Sequence, residues 1–176
     1  MCGPFGAVHA RLPDRCMHRS DTYSDLVSDD GIVLRPVEVA DLRAILSELD
    51  EFWGEGRDMR FLHQALYVHE FGDTSILAVQ RGEILAYLLG FISPDRSGYI
   101  HAVAVRRSAR GRGLARRLYE TFAELARAHG ARRLKAITSP ANDGSRAFHE
   151  ALGFTAARVE DYSPSNGARL VFRRVL

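Results

Sequence analysis

The most chemically informative stretch of the chain is Val103-Ala104-Val105, then Arg106-Arg107-Ser108-Ala109, then Arg110-Gly111-Arg112-Gly113-Leu114-Ala115. Residues 99–105 alternate and are rich in β-branched types, which predicts a strand. From Gly113 onward Leu114, Leu118, Phe122, Leu125 and His129 share a helical spacing, closed by Gly130. The two glycines therefore sit where a strand hands over to a helix. The first turn of a helix presents backbone N–H groups with no intrahelical acceptor and a partial positive charge. Glycine there lets a phosphate reach the backbone with no side chain in the way. Two other phosphate loops do not fit: no Gly-Lys-Ser/Thr is present at this point, and Arg116 stands where G-x-G-x-x-G needs its last glycine. The remaining pattern, R-x-x-G-x-A, reads as a pyrophosphate cradle. The six arginines between 106 and 117 leave a second reading open, a solvated basic helix end.

The elements needed to hold such a cradle can be read along the chain. Ile32 to Pro36 is a short strand stopped by proline, and residues 39–49 carry a helical stripe at Val39, Leu42, Ile45, Leu46 and Leu49. Residues 50–58 hold two glycines and the only tryptophan, and residues 59–71 look helical again, so 50–71 is a candidate lid. Strands over 75–80 and 84–92 meet at Arg81-Gly82-Glu83, a hairpin signal. Beyond the long helix, 134–138 predicts a strand and 143–152 a short helix stopped by Gly153. Two last strands near 154–161 and 169–176 follow, turning at Ser165-Asn166-Gly167. The order is β-α-α-β-β-β-α-β-α-β-β, an α/β (α+β) arrangement with a mixed central sheet of about six to seven strands flanked by about four helices.

Composition bounds the function. A chain of 176 residues with 46% hydrophobic content supports one core, and a formal net charge of +2 gives no bulk argument for a nucleic-acid or membrane partner. No apolar run is long enough to span a bilayer, and no secretory pattern opens the chain, so the expected compartment is cytoplasmic. Residues 1–30 show no helical or strand period and read as a poorly ordered extension, with the catalytic domain over 31–176. Cys2, His9, Cys16 and His18 are soft ligands, but their spacing is not a common zinc pattern, so no metal is expected.

A second motif comes later: Thr138-Ser139-Pro140-Ala141-Asn142, then Phe148-His149-Glu150-Ala151-Leu152-Gly153-Phe154. With the cradle ahead of it, the chain over residues 31–176 resembles the GNAT superfamily of N-acetyltransferases. There R-x-x-G-x-G/A after a strand is followed about 30 residues later by Asn, a helix and Leu-Gly-Phe. The resemblance implies a GNAT fold with strands splayed at an acetyl-CoA site, between 99–105 and 134–138. It implies that the backbone of Val103, Ala104 and Val105 meets the pantetheine arm. The amides of Arg110, Gly111, Arg112, Gly113, Leu114, Ala115 and Arg116 would hold the pyrophosphate. Asn142 matches the pantetheine-contacting Asn, and His149, seven residues on and so on the same helical face, occupies the place of the tyrosine acid found in many members. His149 is then either the acid that protonates the leaving thiolate or a residue packed on the cofactor.

His101 is the second catalytic candidate. Strict alternation puts it on one face with Val103 and Val105, and in some members that acetylate arylalkylamines a histidine at the matching place is a base. The bland alternative is a histidine satisfied within the sheet. Trp53, Glu55 and Asp161 are the candidate substrate-binding residues, with the acids orienting a cationic amine. The expected partner is a small-molecule amine acetylated by direct transfer from acetyl-CoA, and a homodimer is compatible with the pattern. The alternatives are a protein lysine or N-terminal acetyltransferase and, more distantly, a nucleic-acid binding module using the arginines. The order Glu70-Phe71-Gly72-Asp73-Thr74 ahead of a strand, with Thr138 to Asn142 later, is also similar to diaminobutyrate acetyltransferases.

Overall fold

A computed structural model describes residues 30–163 and 167–176. The expectations for the extension up to residue 29, for its cysteines and histidines, and for most of the turn at 165–167 lie outside the described residues. The strands are β1 (Val33–Pro36), β2 (Ile76–Gln80), β3 (Glu83–Ser93), β4 (Ser97–Val105), β5 (Arg133–Thr138), β6 (Thr155–Ser163) and β7 (Gly167–Val175). They form a seven-stranded sheet in the order β1-β2-β3-β4-β5-β7-β6, antiparallel except for the parallel β4–β5 pair. The helices are α1 (Val39–Ser47), α2 (Leu49–Trp53), α3 (Leu66–His69), α4 (Leu114–Ala128) and α5 (Asp143–Ala151). The β2–β3 turn narrows to Arg81-Gly82, both at positive φ (51° and 82°), the conformation that two-residue hairpin loops require.

Alternation along the strands splits the core into two layers. Ile76, Ala78, Leu88 and Ile100 pack with Leu114, Leu118, Phe122 and Ala126 of α4 on one face. Leu77, Tyr87, Leu89, Ala102 and Ala104 pack with Leu42, Ile45, Phe52 and Val68 of α1 to α3 on the other. The sheet lies between two helical layers, as an amphipathic strand set must when both of its faces are apolar. Helix α4 sits close to the sheet at two glycines. A Cβ on Gly90 would stand 2.6 Å from the Phe122 ring, and one on Gly98 would stand 2.8 Å from the Ala126 Cβ.

The region between α1 and β2 differs from the expected pair of longer helices. The first helix breaks at Glu48 (φ −118°, ψ 28°) and restarts as α2, while residues 59–71 form a 3-10 turn (Arg60–Leu62) and the four-residue α3. At the second break sits His63, whose side chain is buried beneath the segment. Its Nδ1–H donates to the Met59 carbonyl at 2.8 Å, and its Nε2 accepts from the Tyr87 hydroxyl at 2.7 Å. Trp53 Nε1 donates to the same Tyr87 oxygen at 2.7 Å. One tyrosine of β3 thus anchors both parts of the expected lid.

Candidate active site

Two irregularities of β4 create the site. Pairing with β5 runs from Ser97↔Arg133 to Ile100↔Ala136 and stops, although β4 continues to Val105 and β5 to Thr138. Beyond Ile100 the two strands diverge, and among the described residues that edge of β4 has no strand partner. The second irregularity is a bulge. Leu89 pairs with Ala102 and Gly90 with Ile100, so His101 is the extra residue opposite β3. Ile100 therefore packs on the α4 face, while Ala102, two residues on, packs on the α1–α3 face.

The bulge corrects the expectation that His101 shares a face with Val103 and Val105. Those valines pack against the α4 layer, whereas His101 turns toward α3 and stacks on Tyr67 with ring centroids 4.2 Å apart. Its Nε2–H donates to the Leu62 carbonyl at 3.1 Å. The Nδ1 lone pair therefore faces the Tyr67 hydroxyl, 3.3 Å away. Burial pushes the His101 imidazole below its usual range, so it is neutral near pH 7 with a basic nitrogen available.

At the other end of the gap the chain turns through Gly111 and Gly113, at φ 79° and 75°, into α4. Gly113 is the N-cap in left-handed conformation, and no side chain caps the helix. A Cβ built on either glycine meets nothing within 4 Å, and both glycines line the cavity together with the first turn of α4. Arg110 ties this turn to the lid by donating to the Phe52 carbonyl at 2.8 Å.

A single cavity of about 1140 Å³ runs from the lid through the β4–β5 gap to the start of α4 and on to α5. It is lined by Trp53, by His101 and His149, by Val103, Ala104, Val105 and Asn142, and by Arg110, Gly111, Gly113, Leu114, Ala115 and Arg116. Arg112 is not in the lining, and its guanidinium lies 3.4 Å from Gln80 Oε1. Glu55 and Asp161 are exposed and also lie outside the lining, so the geometry does not bring the expected acids to the site. Trp53 reaches it because α2 is held by Tyr87, whereas Glu55 falls in the turn beyond Gly54, after the helix has ended.

Asn142 caps α5: its Oδ1 accepts from the Ser145 amide at 3.0 Å, and its Nδ2 donates to Thr138 Oγ1 at 3.2 Å. His149 is buried at 4% exposure, its ring stacked flat on Phe172 at 4.0 Å between centroids. Its Nδ1–H donates to the Ser145 carbonyl at 2.7 Å, with Ser145 Oγ 3.3 Å away. Its Nε2 accepts from the Tyr119 hydroxyl at 2.9 Å. Burial lowers the His149 pKa and raises that of Tyr119, so both are neutral near pH 7. Tyr119 and Ser145 were not among the sequence candidates. Tyr119 sits beside Leu118 on the apolar stripe of α4 and reads as core, while Ser145 is four residues before His149, a helical-face spacing that could have flagged it.

Three histidines, the buried His63 and His149 and the half-buried His101, are held below the ordinary imidazole value of 6.5, in each case mainly by loss of solvation. The folded chain thus binds fewer protons than the unfolded one just below that value. Stability is full above about pH 6.5 and is lost as pH falls from there toward the depressed folded values. The urea midpoint is expected to drop between about pH 7.5 and about pH 5, and to drop less in His63→Gln. A midpoint that is flat across that window would contradict the buried neutral assignments.

The acetyltransferase (GNAT) family model matches residues 40–154. The chain belongs to that family. It is similar to the L-2,4-diaminobutyric acid acetyltransferase of Nocardia farcinica, 26% identical over 115 residues that cover 61% of this chain and 60% of that protein. It is also similar to the enzyme of the same description from Marinococcus halophilus, 30% identical over 84 residues, 47% of this chain and 49% of that one. The chain therefore spans between about half and three-fifths of the length of these curated relatives. Among solved structures, Ard1 from Thermoplasma volcanium superposes with a TM-score of 0.70 at 15% identity, covering 82% of this chain and 97% of that one. A diaminobutyrate acetyltransferase from Paenibacillus lautus, solved with its substrate and coenzyme A, gives 0.60 at 21% identity, covering 80% and 93%. Both structural matches speak for the fold.

Proposed function

We propose that the chain is an acetyl-CoA dependent N-acetyltransferase that acetylates the primary amine of a small molecule. The observation that carries this is the continuity of one cavity from the bare start of α4, through the β4–β5 gap, to a neutral histidine under the lid. The open space before Gly111 and Gly113 fits a pyrophosphate, and Val103, Ala104, Val105 and Asn142 would flank the pantetheine arm. Acetyl-CoA supplies an activated acetyl thioester when bound. The diaminobutyrate acetyltransferases among the relatives support a small-molecule acceptor.

An amine arrives protonated and attacks only when neutral. His101 Nδ1 takes that proton, directly or through the Tyr67 hydroxyl, while Leu62 holds the other nitrogen in the donor tautomer. Backbone N–H groups of β4 beyond Ile100, where pairing with β5 has ended, would stabilise negative charge on the acetyl oxygen. The departing sulfur takes a proton from the α5 side. There, in one concerted shift, the half-buried Ser145 hydroxyl gives its proton to the sulfur and takes the one on His149 Nδ1, Nε2 takes the Tyr119 proton, and Tyr119, which also lines the cavity, takes one from solvent, so no buried phenolate is left.

The test is release of free thiol from acetyl-CoA by the full chain against a panel of small amines, an N-terminal peptide and a lysine peptide. Amine-dependent release with the small molecules is the expected result. Release only with the peptides would overturn the small-molecule reading, and absence of both turnover and acetyl-CoA binding would overturn the reading as a whole.

A further inference from the structure

A cationic amine entering the cavity from the lid meets no carboxylate. Among the described residues no aspartate or glutamate lines the cavity, and Glu55 and Asp161 lie outside it. What the amine meets there is aromatic: Trp53, Phe61 and Tyr99. Trp53 is held by a buried chain of hydrogen bonds. Its Nε1–H donates to the Tyr87 hydroxyl oxygen at 2.7 Å, and that hydroxyl donates in turn to His63 Nε2 at 2.7 Å. His63 is kept in the accepting tautomer because its Nδ1–H donates to the Met59 carbonyl. Tyr87 is fully buried and His63 is 4% exposed, yet the proposed transfer uses neither. The indole also stands edge-on to the His63 ring, with 6.3 Å between centroids, and the residue before His63 is Leu62, whose carbonyl holds His101 Nε2 at 3.1 Å. The same short segment therefore sets both the indole and the candidate base.

We infer that the ammonium group of the acceptor is received at the indole of Trp53, with no carboxylate partner, and that Tyr87 is the positioning residue that holds the indole for it. This rests on the acetyltransferase reading above and states how that same site recognises its substrate. The face of an indole is the most negative of the aromatic side chains and attracts an alkylammonium within about 6 Å of its centre. The attraction grows where water is partly excluded, as it is around the half-buried Trp53. It also suits the chemistry that follows. A carboxylate would accept an N–H of the ammonium and hold back the proton that has to leave. An aromatic face attracts the charge without occupying an N–H, so the protons stay free to meet His101 Nδ1. Tyr87 matters because a ring has a positive edge as well as a negative face. With its Nε1–H bound to the tyrosine, the indole does not swing that edge toward a cation. The arginines of the lining leave room for this reading. Arg110 and Arg116 lie at the cofactor end, Arg57 is exposed, and Arg169 is already engaged within the fold.

Trp53 is the only tryptophan of the chain, so production on fluorinated tryptophans alters this ring alone. Fluorine withdraws electron density from the face and changes the shape little, which separates attraction of a cation from simple apolar contact. Butylamine and 1-butanol, alike in shape and different in charge, are titrated calorimetrically into the full chain with coenzyme A present. Butylamine is expected to bind at least about fivefold more tightly than butanol, and to lose about tenfold in affinity, stepwise, from tryptophan to trifluorotryptophan. Butanol and coenzyme A are expected to stay within about twofold across the series. Tyr87→Phe keeps the ring and its edge contact with Phe52 and removes only the hydroxyl. It is expected to weaken butylamine about five- to tenfold and to raise the amine KM in thiol release similarly, with kcat and the KM for acetyl-CoA within about twofold. Trp53 emission should move to longer wavelength as the N–H is released to water. A tyrosine that is only structural would lower stability and leave the amine KM alone. Butylamine that binds no more tightly than butanol, a fluorine series without a slope, or a folded Tyr87→Phe chain with the parent affinity for butylamine each overturns the inference. If Tyr87→Phe does not fold, the fluorine series decides. Failure of the acetyltransferase reading shows itself separately, as absent thiol release and absent coenzyme A binding, and the two titrations then decide the indole site without coenzyme A.

Discussion

A Gly113→Val chain is expected to lose at least about 10²-fold in acetyl-CoA affinity while remaining folded, because a side chain there both strains the turn and fills the space a phosphate must enter. The native φ of 75° is left-handed, a conformation that costs an ordinary residue about 1–2 kcal/mol and a β-branched one more. The strain alone would reduce stability without identifying a binding site. The open space before the glycine is what turns the substitution into a test of binding: α4 has no side-chain cap, and a Cβ on Gly113, which lines the cavity, meets no other atom within 4 Å. Each charge-assisted hydrogen bond lost there is worth about 1.5–3 kcal/mol, and losing two accounts for the expected effect. Gly130, at the far end of the same helix, has φ 79° and equally open surroundings, so Gly130→Val carries the backbone strain without touching the cradle. Isothermal titration of both variants with acetyl-CoA separates the two contributions. Equal affinities in Gly113→Val and the parent chain would remove the pyrophosphate from this turn.

The strand-to-helix turn at Gly111 and Gly113, the proposed cradle, was legible in the sequence because its backbone depends on local facts. A strand pattern, two glycines and a helix pattern specify backbone conformation at the residues that carry them, and Gly111 and Gly113 do adopt the positive φ that only glycine takes at little cost. The seven strands were legible for the same reason, down to the Arg81-Gly82 turn. The bulge at His101 was not. Its sequence neighbours alternate without interruption, and the insertion exists only in the pairing with β3, a relation between distant residues. That one extra residue decides which side of the sheet the candidate base faces. The break of 59–71 into short turns was hidden likewise, since His63 becomes a buried anchor only through Tyr87, 24 residues away. Glu55 and Asp161 suggested a cationic acceptor by their charge alone. In the fold these carboxylates face solvent, and the charge that lines the cavity is arginine from separate segments.

The two histidines are expected to respond differently to substitution, because the fold gives them different hydrogen-bond partners. His101 Nδ1 meets only the Tyr67 hydroxyl, at a long 3.3 Å, on a half-buried strand, and can give up that contact for an incoming proton, so His101→Phe is expected to lower kcat about 10²-fold with the KM for acetyl-CoA unchanged. The base works only when neutral, and its pKa is depressed. The ascending limb of the rate against pH therefore falls below the usual imidazole range, and it should disappear in the variant. His149 has both nitrogens engaged, so a stable imidazolium at neutral pH is not its working form. It is expected to act by passing a proton from Nδ1 toward Ser145 while taking one from Tyr119 at Nε2, with solvent in the cavity returning a proton to Tyr119 in the same shift. Tyr119→Phe tests this more cleanly than any change at His149, since it keeps the buried ring, its edge contact with Phe148 and the stacking of His149 on Phe172. A relay predicts that Tyr119→Phe lowers kcat about tenfold or more and that Ser145→Ala lowers it similarly, with acetyl-CoA affinity little changed in both. A packing role predicts that Tyr119→Phe costs stability, through the unsatisfied Nε2, and leaves kcat alone. Full turnover in a folded Tyr119→Phe chain would therefore reduce His149 to a structural residue and leave the sulfur to be protonated from solvent.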